Sequence, residues 1–305
     1  MDRHGVDMDA SIAGRLKAAV ALTVAVFVAE FVGGILTNSL ALVSDSMHVL
    51  MDAVALALSL FALYISSSKP TERRTYGLHR AEVLVSLING VTLLVISAII
   101  LYKAYFRFLN PTEVKSGAVL IVAAVGLIVN LTVAFRLHHF AKSDLNVKSA
   151  FLHVVGDALA SIGVIAGAVI MYFTSYYVVD PVISVLIALV IIYGALRVIT
   201  EAGHILLEGV PRDIDVDSVL KEILSIEGVT GVHSLHVWSI CHNVNALSAH
   251  IDIEKWDKVE RRGMLSAINE KLAERFHIFY TTIQMDCASC GDNSVFRRMT
   301  HRHRE

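Results

Sequence analysis

The sequence predicts an α-helical membrane protein with six transmembrane helices, followed by a C-terminal cytoplasmic α+β domain. Three observations carry this. The chain of 305 residues is 55% hydrophobic and only 18% charged, with a mean hydropathy of +0.62, more apolar and less charged than a soluble domain. Six apolar runs each reach the ~20 residues that cross a hydrocarbon core. After Glu208 the pattern changes to short amphipathic and alternating segments.

The elements follow in order. Residues 1–14 are small and polar and read as a cytoplasmic N-terminal tail. The apolar runs cover about 16–37, 40–66, 81–108, 114–137, 149–175 and 179–203, within a membrane domain of 15–208. Basic residues alternate from one side to the other. Arg15 and Lys17 precede the first run; Lys69, Arg73, Arg74 and Arg80 lie between the second and third; Arg136, Lys142 and Lys148 lie between the fourth and fifth; Arg197 and Arg212 lie towards the end. The opposite side has little more than Arg107 and Lys115, so the positive-inside rule puts both termini in the cytoplasm.

Residues 209–291 read as a cytoplasmic domain of order αββαβ. "DVDSVLKEILSIEG" is an amphipathic helix closed by Gly228, "VTGVHSLHVWSI" and "VNALSAHIDIE" are strands, "DKVERRGMLSAINEKLAERF" is a second helix and "YTTIQMD" a third strand. That order suits a small open sheet with helices on one face. Residues 292–305 are too charged to pack and read as a disordered basic tail.

A net charge of −2 offers no field for a nucleic-acid partner. Three cysteines are too few for a disulfide framework.

The chemistry starts in the membrane. "LALVSDSMHVLMDAVAL" places His48 four residues before Asp52, and "SAFLHVVGDALAS" places His153 four residues before Asp157. Residues i and i+4 share a helix face. An imidazole and a carboxylate at bilayer depth are costly unless something binds them. Two such helices side by side bring two nitrogens and two oxygens to one point, a tetrahedral set of the kind Zn²⁺ takes. Asp45 lies near the same face; it reads as an acid at the helix mouth in contact with water, the alternative being an acceptor that holds an imidazole tautomer. Glu30 and Asn130 have no i+4 partner and read as packing or cavity-lining groups. An intramembrane metalloprotease would need HExxH and an open coordination position; the motif is missing and four ligands close the site, so no enzyme is expected.

The paired HxxxD, "YGLHRAE" before the third run, Asp180-Pro181 at the sixth, and "VHSLHVWSI…NALSAHI" together resemble the cation diffusion facilitator family, in its zinc-transporting branch, from about residue 12 to 290. The resemblance implies a homodimer of six-helix protomers in the lipid bilayer, each with a metallochaperone-like tail domain. It implies export of Zn²⁺ from the cytoplasm in exchange for protons, through His48, Asp52, His153 and Asp157. The short "RLHHFAKSDLNVKS" between the fourth and fifth runs points to a prokaryotic inner membrane. In the tail domain the resemblance picks out His233, His250 and Asp286, one per expected strand. Strands ~4.8 Å apart let three such side chains meet on one ion, although His233 and His250 also suit an ordinary polar strand face. The family's possible further ligand is a glutamine here, Gln284, which puts a binuclear site in doubt.

Cys287 and Cys290 form a CxxC. It is a zinc half-site that His4 of the N-terminal tail could help complete, a reducible disulfide, or a pair of idle thiols. His79 is expected either to hold an interfacial ion or to meet a lipid headgroup, and Arg80 to pair with Glu208. Cys241 and His242 are expected to be exposed in a turn, without a role. The alternatives in function are a membrane metal sensor that does not transport, and a transporter of a broader set of divalent cations (Cd²⁺, Co²⁺, Fe²⁺).

Overall fold

The structure is a computed structural model that describes residues 21–50, 54, 71–138, 145–254, 258–287 and 295. These fall into two compact units. One takes the residues up to Lys69 with Val85–Ile199; the other takes Pro70–Leu84 with the residues from Thr200 onward.

The first unit is helical. It holds α1 (Ala21–Thr37), α2 (Leu40–Leu50), α4 (Ser116–His138), α5 (Leu145–Thr174) and most of α3 (His79–Leu109) and α6 (Val179–Leu206), whose residues up to Leu84 and from Thr200 count with the second unit. Four of them, α3 to α6, are long and apolar enough to cross a membrane; α1 and α2 are shorter over the described residues, and the second apolar run continues into residues outside them. Leu42, Leu93, Val119, Ala123, Ala168, Ala188 and Ile191 are buried between helices. The outward faces stay apolar, with Val91, Val95 and Ile99 on α3 and Leu186, Leu189 and Tyr193 on α6. That suits helices whose solvent is lipid, where every backbone group is bonded within its own helix.

The start of α2 is capped from another helix. Asn38 turns the chain at φ 56°, and Ser39 Oγ accepts from the Leu42 amide at 3.2 Å. The next orphan amides, Leu40 and Ala41, donate to the buried carboxylate of Asp180 at the start of α6, at 2.8 and 3.2 Å. Ser39 Oγ donates to the same carboxylate at 2.6 Å, and Arg107, in the last turn of α3, pairs with it at 3.1 Å. The helix that carries His48 is thereby fixed to α3 and α6.

The second unit contains α7 (Val216–Leu224), β1 (Val229–Cys241), β2 (Val244–Ile253), α8 (Lys258–Phe276) and β3 (Ile278–Cys287), the αββαβ order. The sheet order is β1-β2-β3, with β1–β2 antiparallel and β2–β3 parallel across α8. Asp215 caps α7 by accepting from the Ser218 amide. The helix stops at Leu224, short of the expected Gly228, which instead supplies φ +89° before β1. Leu247, Ala249, Ile251 and Ile253 alternate into a core shared with Val219, Ile223, Ile268 and Leu272. Period-2 alternation leaves Ser248, His250 and Asp252 on the opposite face of β2.

Candidate metal centres

In the helical unit, His48 on α2 and Asp157 on α5 come together, with Nε2 3.3 Å from Oδ1. Two ligands on a tetrahedral zinc ion stand ~3.3 Å apart when each is ~2.0 Å from it, so the pair already has the spacing of one edge. His153 lies one turn before Asp157 in α5, but its side chain is outside what the structure describes. Asp52 also lies outside the described residues.

Asp45 departs from the expected helix-mouth position. It is 2% exposed and accepts a hydrogen bond from Ser161 on α5 at 3.4 Å. It faces α5 rather than water because it shares a face of α2 with His48. Glu30 is also buried, and among the described residues neither of its carboxylate oxygens has a hydrogen-bond partner. It fits against α4 because Gly126 has no side chain; a Cβ there would stand 2.2 Å from Oε1. Asn130 is one turn further along α4, and its buried Nδ2 also has no hydrogen-bond partner among the described residues.

The second unit holds the other candidate centre. His233 on β1, His250 on β2 and Asp286 on β3 present ligand atoms that all lie within 4.8 Å of one another. His233 and His250 are register partners with ring centroids 5.1 Å apart. His250 Nδ1 donates to Asp286 Oδ2 at 2.8 Å, and His233 Nε2 is 3.8 Å from the same oxygen. Gln284 Nε2 donates to Asp286 Oδ1 at 2.8 Å. That bond, then the one from His250, holds the Asp286 carboxyl below the usual carboxylate range, so it is anionic at neutral pH. Gln284 therefore orients the Asp286 carboxylate.

A β-bulge sets the first strand. His233 pairs with His250 and His236 with Ser248, so two residues of β1 oppose Ala249 alone. Ser234 takes up the extra length at φ 50°. Leu235 and Val237 can then stay in the core while His233 turns to the His250 face. The Leu235 amide at the bulge donates to the Val295 carbonyl at 3.0 Å.

Cys241 corrects another expectation. It is not an exposed turn residue: β1 runs through to it and only His242 and Asn243 form the turn, so Cys241 is 4% exposed. Its Sγ lies 3.6 Å from Nδ1 of His79, at the start of α3. Burial, then the negative charge of Glu82, pushes the thiol up to about 11, so it stays protonated and donates to the ring. Arg80 pairs with Glu208 at 2.9 Å, on the exposed surface. Cys287 ends β3, its side chain not described; Cys290 and His4 lie outside the described residues.

The chain matches the family model for a cation efflux transmembrane domain over residues 16–207, and that for a cation efflux protein, cytoplasmic domain, over 211–288. It belongs to the cation efflux family. Within that family it is 40% identical to the metal cation efflux system protein CzcD of Cupriavidus metallidurans over 275 residues, covering 90% of this chain and 87% of that one. It is 37% identical to the cadmium, cobalt and zinc/H(+)-K(+) antiporter of Bacillus subtilis over 270 residues, covering 87% and 86%. It is 34% identical to the zinc transporter ZitB of Pectobacterium atrosepticum over 291 residues, covering 95% and 90%.

One residue of this cation efflux protein that the sequence did not single out stands beside this candidate centre. Asp252 Oδ1 is 3.6 Å from His233 Nε2. The signal was available in "AHIDI", where two residues after His250 means the same strand face.

Proposed function

We propose that this protein is a secondary transporter that exports Zn²⁺ from the cytoplasm in exchange for protons. The ion is held by His48, Asp52, His153 and Asp157 and passes by alternating access. The observation that carries this reading is the 3.3 Å approach of His48 Nε2 to Asp157 Oδ1 across α2 and α5. An i, i+4 partner on each helix then completes a tetrahedron. Four protein ligands leave no open position for a reacting water, which favours carriage over catalysis. Relatives named as zinc transporter and as cadmium, cobalt and zinc antiporter support zinc as cargo, with Cd²⁺ and Co²⁺ as further ions.

The protein works as a homodimer in a prokaryotic inner membrane, with both termini in the cytoplasm. The tail domain, about 209–291, holds regulatory zinc at His233, His250 and Asp286. That ion favours transport by binding one conformational state better than the other.

Reconstituted vesicles test the transport site. Asp157→Ala should abolish Zn²⁺ flux while the protein still inserts and assembles. Wild-type flux in that variant would remove Asp157 from the ligand set. Binding without flux in the unaltered protein would make it a sensor.

A further inference from the structure

We propose that Asp252 is the fourth protein ligand of the cytoplasmic metal site, closing it as a His2Asp2 set; this rests on reading His233, His250 and Asp286 as ligands. Three ligands leave a position for water or an exchangeable ligand, whereas four make a closed site that retains its ion.

The geometry points to Asp252 in three ways. His233 Nε2 faces two carboxylates at once, Asp252 Oδ1 at 3.6 Å and Asp286 Oδ2 at 3.8 Å. Both distances are too long for a hydrogen bond. They lie a few tenths of an ångström outside the ~3.3 Å edge of a zinc tetrahedron, so His233 stands within reach of sharing an ion with either carboxylate. Asp252 lies outside the three-residue group whose ligand atoms are mutually within 4.8 Å and must turn inward to complete the set.

Charge is the second argument. Asp252 and Asp286 are register partners on the neighbouring parallel strands β2 and β3. Like charges directly opposite each other destabilise a sheet. Among the described residues, no lysine or arginine pairs with either one. Both are mostly covered, with side chains 14% and 21% exposed, so water screens the repulsion only in part. A divalent cation between them removes it.

The third argument is space. Opposite Asp252 on β1 is Gly231. A Cβ at Gly231 would lie 2.7 Å from Asp252 Oδ2, closer than such contacts allow. The glycine leaves room for the carboxylate where it now stands beside His233.

The experiment uses the full chain in detergent, on an Asp157→Ala background so that the membrane site does not obscure the count. The protein is stripped with a chelator and titrated with Zn²⁺ against a chromophoric competitor. It is then loaded with Co²⁺, whose visible absorption is strong in a tetrahedral site and weak at higher coordination. His250→Ala should lose one ion per protomer. Asp252→Asn, nearly identical in shape, should weaken that same ion by about tenfold or more and reduce the tetrahedral Co²⁺ band. Gly231→Ala keeps every candidate ligand but crowds Asp252, and should shift both readouts in the same direction. Unchanged affinity and spectrum in Asp252→Asn, with the ion lost in His250→Ala, overturns the proposal and leaves the three-ligand reading standing. Unchanged binding in all three variants overturns both.

Discussion

A single residue decides which face of β1 carries His233. Ser234, at φ 50°, holds the bulge that lets His233 turn outward while Leu235 turns inward. A β-branched side chain at positive φ is strongly disfavoured, whereas glycine adopts it freely. Ser234→Val should force β1 towards regular pairing, and a one-residue slip moves side chains to the other face. Zinc at the cytoplasmic site should then weaken or be lost, whereas Ser234→Gly should bind as the unaltered protein does. Equal zinc affinity in both variants, by competition titration, would show that the bulge does not place His233. None of this was legible beforehand: "VHSLHVW" marks a strand, but the residue alphabet does not say where a ladder skips. Asp252 shares the His250 face by alternation alone, but only the register sets it against Gly231 and Asp286. The HxxxD pairs needed only the helical period, and so His48 and Asp157 could be named from spacing alone.

Whole elements are held by groups that local sequence does not announce. Asp180 was noted only for opening the sixth helix, yet its buried carboxylate caps α2 from 140 residues away at Leu40. Helix periodicity finds α2 and α6 separately; the link between them exists only once they pack. In the tail domain, α7 is tied to α8 through Glu222, which pairs with Lys271 at 2.9 Å and with Arg275. The Lys271 hydrogen bond, then the charges of Lys271 and Arg275, holds the Glu222 carboxyl below its usual range. A folded value below the unfolded one, about 4.3 for glutamate, gives a contribution that is complete above that pH. It is lost as pH falls through the lower folded value. Amide protection in α7 of the full chain, corrected for the intrinsic pH dependence of exchange, should therefore be steady from neutrality to about pH 4.5 and fall below about pH 4. Glu222→Gln should exchange faster at neutral pH and lose much of that acid dependence. An unaltered acid profile in the variant would place the α7–α8 tie elsewhere.

For the molecule as a whole, the coarse plan was legible because it depends on quantities that a sequence states directly. Apolar runs and the change of period after Glu208 give the helical unit and the small α/β domain. The exchange mechanism makes its prediction at this scale, from charge. With neutral imidazoles, two carboxylates give the proposed site a formal charge of −2, and one Zn²⁺ neutralises it. An empty site returning with both carboxylates ionised would carry uncompensated charge at bilayer depth, at a cost of several kcal/mol per ion. Protons can compensate instead, and an imidazole nitrogen takes either a proton or the metal. Two protons would neutralise the empty site and one would halve its charge, so it carries zinc one way and at least one proton the other. Inside-acidic vesicles should load Zn²⁺ faster than vesicles without a gradient, and their pH difference should decay as zinc enters. His153→Asn removes one titrating group at similar size, and should flatten the pH dependence of whatever zinc affinity remains. Loading that ignores the gradient in well-sealed vesicles, with no proton movement on adding zinc, would leave passive passage through a metal site as the mechanism.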